Sequence, residues 1–425
     1  MTKPVSRRTF AKRAGMTAAA MLAAPFVRRA GAARPRVAVI GGGAGGATAA
    51  RALAAAEAGL DVVLIAPARE FVTCFFSNLY IAGERSLGSL THGYGTLAKE
   101  YGVTLVHAAA AVIDPVARRV RLADGGAVHY DRLVVSPGIG FRWDAIEGYG
   151  RAAPQMMPHA WQAGPQTRLL RRRLEAMEDG GVFLIAPPEE PYRCPTAPYE
   201  RVSLVAHYFK RSKPKSRIVI LDAKNEFPLQ ALFEEGWARF YPGMIEMIPA
   251  EFSGGLQAVR VHEGTVMSAD DTFRPAVANI IPPQHAGRVA REAGLADDSG
   301  WCPVDPATFE STRIPGIHVI GDSAVAAPMP KAGYAAALHA ELCAAAIVRG
   351  LTGGTRGAKV VGGACWTHIR PGHAVRERAE FAVVDGMLQR TALSISETGE
   401  SDDTRSAVAS EAEDWYRDIT TGMFG

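Results

Sequence analysis

Three features that would assign a redox chemistry at sight are missing from this 425-residue chain. No C-x-x-C-H occurs, so the chain attaches no c-type haem of its own. No C-x₄-C dithiol pair occurs among its five cysteines. The third gap lies between Gly181 and Tyr199, where the chain reads GVFLIAPPEEPYRCPTAPY. A strand-like run there is followed by prolines and Cys194 in the place where a second nucleotide-binding turn would carry glycines. Backbone amides at a Gly-rich turn hold a pyrophosphate, and proline removes both the amide and the close approach. A nicotinamide dinucleotide is therefore not expected there. Outside the N-terminal segment, no apolar stretch is read as long enough to span a membrane.

Acidic residues are absent from residues 1–32, which hold seven of the 47 Lys and Arg residues. The remainder carries 40 basic against 43 acidic side chains, so the body is mildly acidic and a nucleic-acid partner is not expected. Ser6-Arg7-Arg8-Thr9-Phe10-Ala11-Lys12 fits a twin-arginine export signal, followed by an Ala/Met/Leu stretch to Val27 and an Ala30-Gly31-Ala32 cleavage site. The alternative is a disordered basic arm. Export would place the protein in the periplasm, an oxidising compartment where disulfides persist. With 48% hydrophobic residues the chain has material for more than one core.

From Arg36 a buried strand, a glycine turn and an alanine-rich helix follow in VAVIGGGAGGATAARAL. Gly41, Gly43 and Gly46 satisfy G-x-G-x-x-G between strand and helix, the context that gives the motif meaning. The second strand, DVVLIA, ends at Ala66, where a carboxylate would normally bind the adenosine ribose. Glu70 is the nearest substitute. A second flavin signal comes from GIHVIGD, a short strand ending in Gly321-Asp322, which suits an Asp on the ribityl chain of FAD. PMPKAGY then opens a long helix, whose N-terminus with Lys331 suits negative charge on a reduced flavin edge. A solvated Lys331 on an ordinary loop is the alternative. SRIVILDAKNEF, ending in Asp222, and the strand 181–186 make a second nucleotide fold without its phosphate loop.

Cys343, among alanines on the long helix, and Cys302, in GWCPVD, read as inert core residues. Cys74 in FVTCFFSN, Cys194 in the proline loop and Cys365 in GGACWTHIRPGHAV remain. No metal site is expected.

With GGGAGGATAA, TCFFSN, LVVSPGIG, PHAW, IAPPEEPYRCPTAPYERV, NIIPPQHAG, GWCPVDPATFES, GIHVIGD, PMPKAGY and DWYRDIT in view, the chain resembles the flavoprotein subunit of flavocytochrome c sulfide dehydrogenase over roughly residues 35–425. Related flavoproteins of periplasmic sulfur-oxidation systems share the pattern. The resemblance implies an α/β fold: two dinucleotide-binding (Rossmann-like) domains of the flavin disulfide reductase type and a C-terminal α+β domain. It places the signal peptide at 1–32, the FAD-binding domain at 33–147 and 281–352, the second nucleotide fold at 148–280 and the C-terminal domain at 353–425. It implies FAD bound covalently through a Cys74 thioether, a redox-active Cys194–Cys365 disulfide, and a separate c-type cytochrome subunit as heterodimer partner. No integral membrane contact is expected.

Hydrosulfide attack on that disulfide would leave a persulfide on one cysteine and a thiolate on the other. By analogy, Cys365 is placed nearer the flavin and Cys194 nearer the incoming sulfide. Glu200 is the candidate acid/base, or else a surface carboxylate paired with Arg201. His368 and His373 could serve nearby too, with solvent-exposed or structural roles as the favoured reading. The acidic tail from Glu397 to Asp414, ending in Trp415-Tyr416, is either a cytochrome-docking element or a linker with a packing helix. Two other readings stay open: sulfide:quinone oxidoreductase, and a non-catalytic flavin-binding sulfur carrier. Strand-like alternation in RPGHAVRERAEFAVVDGML disfavours the membrane helices of the first.

Overall fold

Strands that are aliphatic along their whole length need cover on both faces, and the chain supplies it with helices. The computed structural model describes residues 34–353 and 360–425, so the twin-arginine segment lies outside the described residues. Strand β1 (Arg36–Ile40) leads into helix α1 (Ala44–Ala55), then β2 (Asp61–Ile65), a short α2 (Ser77–Ala82), β3 (Thr104–Val106) and β4 (Arg132–Val135). The second nucleotide fold holds β5 (Val182–Ala186), α3 (Ala197–Ser212), β6 (Arg217–Leu221), β7 (Ile245–Ile248) and β8 (Val277–Ile280). The chain then returns with β9 (Ile317–Val319) and α4 (Gly333–Thr352), and ends in β10 (Val361–Arg370), β11 (His373–Val384), β12 (Met387–Ile395) and α5 (Asp402–Phe424).

The first sheet is parallel throughout, in the order β9-β4-β1-β2-β3. Val37, Val39, Leu133, Val134, Val135 and Val319 are fully buried in it, and each such side chain contributes about 1.5–3 kcal/mol. The order in which strands are added reverses between β1 and β4, so the crevice at the carboxyl end of β1 is the topological switch point, where such sheets bind ligands. The second sheet repeats the scheme as β7-β6-β5-β8, again parallel. The two sheets, with the antiparallel β10-β11-β12 meander, establish the expected α/β class. The meander bears out the strand-like alternation read after Cys365.

Two expectations need correction. Helix α4 is long and apolar enough to span a membrane by length and composition, contrary to the reading that nothing outside the N-terminus is. It packs along α1 and against β10, burying Tyr334, Ala335, Ala336, His339, Ala340, Cys343, Ala344 and Ile347, and so serves as a core helix. The C-terminal tail is helical from Asp402, and its aromatics turn inward. Trp415 packs against Phe75 (ring centroids 5.5 Å apart) and Trp366 (5.3 Å). The Tyr416 hydroxyl contacts Thr73 Oγ1 and His92 Nε2 at 3.0 Å each. Tyr416 is buried and Trp415 half-buried by these contacts. Asp402, Glu411 and Glu413 pair with Arg239, Arg376 and Arg85 of the same chain.

Candidate active site

Three residues, Gly41 to Gly43, join β1 to α1, and the tightness of this turn dictates its composition. Gly41 has φ +101°, and a Cβ there would lie 2.1 Å from the Ser136 carbonyl oxygen. A Cβ on Gly46 would lie 1.8 Å from the Gly41 carbonyl oxygen. Gly43 differs: its backbone is ordinary (φ −80°), and the nearest atom to an added Cβ is in the Phe71 ring at 3.3 Å. Gly41 and Gly46 thus form the turn, while Gly43 keeps space open before the free amides of the α1 N-terminus. That cradle fits the pyrophosphate of a dinucleotide. Ala66 supplies only backbone at the end of β2, its N–H donating to Val106 O at 3.0 Å. Glu70 is exposed on a short strand paired with Thr91–Gly93.

At the end of β9, Gly321 turns the chain with φ +68°, and the Asp322 carboxylate faces the Arg193 guanidinium at 3.7 Å. Lys331 is neither solvated nor free. Its ammonium donates to the carbonyls of Asp322 and Ala324 at 2.9 Å each and lies 3.8 Å over the Trp301 ring. Burial lowers its pKa to about 8, against the pull of Asp322.

Cys194 sits on the proline loop with φ +54°, a left-handed conformation that costs a non-glycine residue about 1–2 kcal/mol. Its N–H donates to Lys331 O at 2.7 Å, which pins the second fold's loop to the α4 entrance. Cys74, Cys194 and Cys365 are half-buried free thiols. Burial raises the Cys194 thiol pKa, and negative charge on Cys74, Asp322 or Cys365 raises it further; Arg193 opposes them. Cys74 and Asp322 from the first sheet's domain and Cys365 from β10 thus lie near enough to the proline loop to act electrostatically on Cys194. Burial pushes Cys365 up to about 12, with the Glu377 and Glu200 carboxylates adding to the effect. Cys302 and Cys343 are fully buried, as expected of core residues.

At Glu200 the structure removes one of the two readings. The residue is not a surface partner of Arg201. One carboxylate oxygen accepts from the His368 backbone N–H at 3.0 Å and contacts His368 Nδ1 at 3.3 Å; the other accepts from Asn78 Nδ2 at 2.8 Å. The Arg201 guanidinium, 2% exposed, instead donates to Asn78 Oδ1 (3.0 Å), Asn279 Oδ1 (2.7 Å) and the His159 and Ala160 carbonyls. A buried network thus holds Glu200 from three elements, and such networks hold position when every member is satisfied. His368 is 4% exposed and belongs to it. His373 is buried too, but against Phe240 and near Asp402.

The second fold keeps its scaffold and fills its site. Residues 187–196 separate β5 from α3, where a dinucleotide turn needs three. The Asp222 carboxylate accepts from Tyr199 Oη at 2.5 Å and pairs with Lys224 at 2.6 Å, so no ribose can claim it. Glu189 and Glu190 line a cavity of about 340 Å³ beside the prolines, an anionic wall that repels phosphate.

Residues 167–282, this altered domain, match the family model described as sulfide dehydrogenase (flavocytochrome c) flavoprotein chain, central. The match links this domain, about a quarter of the chain, to the central domain of that flavoprotein family. Residues 35–159 match the pyridine nucleotide-disulphide oxidoreductase model. Mitochondrial sulfide:quinone oxidoreductase from Mus musculus is 24% identical over 328 residues, covering 72% of this chain and 68% of its own. The solved sulfide:quinone oxidoreductase of Aquifex aeolicus superposes with TM-score 0.74 at 17% identity over 92% of both chains. A NAD-dependent persulfide reductase from A. fulgidus superposes with TM-score 0.60 at 14% identity, over 89% of this chain and 77% of its own. At these identities the two structures speak for the fold.

Three residues of this site were given no role in the sequence reading. Asn78, Arg193 and Arg201 each lie inside a quoted motif, TCFFSN, YRCP or YERV, but only the fold shows their targets. Arg193 is the most consequential. Its backbone N–H donates to Gln284 Oε1 at 3.0 Å, and its Nη2 is buried without a hydrogen-bond partner.

Proposed function

We propose that the chain is the FAD-bearing subunit of a periplasmic sulfide dehydrogenase, exported by the twin-arginine route and delivering electrons to a c-type cytochrome. The observation that carries this reading is that Cys194, on a loop without the nicotinamide glycines, lies within electrostatic reach of both Cys74 and Cys365. Gly41, Gly43, Gly46 and the α1 N-terminus would hold the FAD pyrophosphate. Asp322 and the α4 N-terminus with Lys331 would hold the flavin half, and Cys74 would bind it covalently. When bound, FAD accepts an electron pair and releases electrons singly.

Hydrosulfide attacks Cys194 Sγ of the oxidised pair; a new S–S bond forms as the Cys194–Cys365 bond breaks. Burial and two carboxylates make the Cys365 sulfur a poor anion, so a proton supplied at Glu200 lets it leave as a thiol. Oxidation of the resulting persulfide and thiol retains the added sulfur between the cysteines and releases two electrons and two protons. Arg193, the cation acting on Cys194, offsets negative charge as the sulfur anion approaches.

Anaerobic addition of sulfide to the full chain tests the reading: flavin bleaching should follow, and added cytochrome c should be reduced. A sulfur carrier without catalysis would not bleach. The likeness to sulfide:quinone oxidoreductases favours one second reading, with a quinone as acceptor. Faster turnover with a soluble quinone than with cytochrome c would establish that reading instead.

A further inference from the structure

Oxidation of hydrosulfide to the level of sulfur releases one proton with its two electrons (HS⁻ → S + H⁺ + 2e⁻). A cytochrome accepts electrons alone, so that proton needs its own way out of a buried site. The thiols cannot hold it through repeated turnovers; two carboxylates, Glu377 and Glu200, act on Cys365, and Glu200 is the one bonded to an imidazole.

Glu200 is held on both sides. Asn78 caps one oxygen, and the other meets His368 twice, at its backbone N–H (3.0 Å) and its Nδ1 (3.3 Å). The remaining ring nitrogen of His368 is Nε2, and His368 lines a second cavity, of about 410 Å³. Glu84, Arg85, Ser406, Ser410 and Glu413 share that cavity, and all but the half-buried Arg85 are exposed, so it opens to solvent. The charged groups there are engaged: Arg85 with Glu413 at 3.1 Å, and Glu84 with Arg211 at 2.6 Å. The Phe76 ring meets the imidazole edge-on, with centroids 5.5 Å apart, and fixes its plane. An imidazole bonded to a half-buried carboxylate and lining a water-accessible cavity has the parts of a proton relay.

We infer that Glu200, His368 and this cavity form the route by which the proton released in sulfide oxidation reaches bulk solvent. The inference rests on the proposed cytochrome-linked function. It assigns His368 a role beyond packing: it acts through Glu200 and touches no reacting sulfur.

The test uses the FAD-loaded full chain with cytochrome c and a pH-indicator dye in weak buffer, so that electron arrival and proton release are followed together. Wild type should release protons in step with cytochrome reduction; absence of sulfide-dependent reduction in wild type would instead refute the proposed function. His368→Ala keeps the backbone N–H that positions Glu200 and opens space beside the cavity. Its proton release and turnover should fall at least about tenfold with flavin content unchanged, and added imidazole should restore both. His368→Gln, which keeps a hydrogen bond to Glu200 but carries no proton, should be as slow as His368→Ala. A His368→Gln variant near the wild-type rate, a His368→Ala loss that imidazole does not relieve, or a His368→Ala rate within twofold of wild type would each overturn the relay.

Discussion

Substituting Gly43 and Gly46 separately by alanine tests whether the two glycines serve different ends. In Gly46→Ala the new methyl would sit 1.8 Å from the Gly41 carbonyl oxygen. Relief to an ordinary contact of about 3.2 Å means separating the α1 N-terminus from the β1 turn by more than an ångström, with α1 already packed along α4. Overpacking of this kind costs about 1–3 kcal/mol or more, and the helical gain of alanine over glycine returns only about 0.5–1 kcal/mol. Gly46→Ala should therefore destabilise the protein even without flavin. In Gly43→Ala the methyl meets only the Phe71 ring at 3.3 Å, at a φ that alanine adopts freely. The fold should stand, but the methyl occupies the space assigned to the pyrophosphate. Thermal melting of the flavin-free proteins and FAD content of the purified ones give the readout. Gly43→Ala should melt like wild type and lose FAD; Gly46→Ala should melt lower and lose FAD. A Gly43→Ala protein with full flavin, or a Gly46→Ala protein of unchanged melting, would refute this division of roles.

Acid should unfold the protein through two buried histidines. Burial lowers His159 and His339 to about 3 each, and each Nδ1 accepts a backbone N–H, from Trp161 at 2.9 Å and Gly321 at 3.2 Å. The unfolded chain takes up these protons below pH 6.5 while the native state does not. Stability therefore falls as pH drops from 6.5 toward 3, by about 1.4 kcal/mol per unit for each histidine. Denaturant midpoints measured from pH 6.5 to 5 should show this slope, shallower in His159→Gln. Arg193→Met should slow iodoacetamide alkylation of Cys194 in the reduced enzyme, and sulfide-driven flavin bleaching, by about tenfold. Arg193→Lys should recover part of both, whereas equal rates in all three proteins would remove Arg193 from the chemistry. Cys74→Ser should bind FAD but release it on acid precipitation, where the wild-type flavin stays with the polypeptide; flavin lost from both would end the thioether assignment.

What the sequence made legible was local. The glycine turn at Gly41–Gly46, the Gly321-Asp322 strand end and the proline loop at Cys194 each fit within a dozen residues, so spacing alone identifies them. The Glu200 network did not show, because Asn78 and His368 lie 122 and 168 residues from it. Sequence left His368 between an exposed and a structural role; contacts of β10 with α3 and α4 accompany its burial. Trp415 and Tyr416 follow an acidic stretch and so looked like an interface; they pack on Phe75 and Phe76 beside Cys74. Helix α4 passed as ordinary in sequence and reaches spanning length in the fold, where burial against α1 explains its apolarity.

The central claim is that electrons enter through the Cys194–Cys365 pair. Anaerobic titration with sulfide of the FAD-loaded wild type, Cys194→Ser and Cys365→Ser tests it most directly. Wild-type flavin should bleach within a turnover and both variants should stay oxidised at the same flavin content. Bleaching of either variant at the wild-type rate would contradict the account.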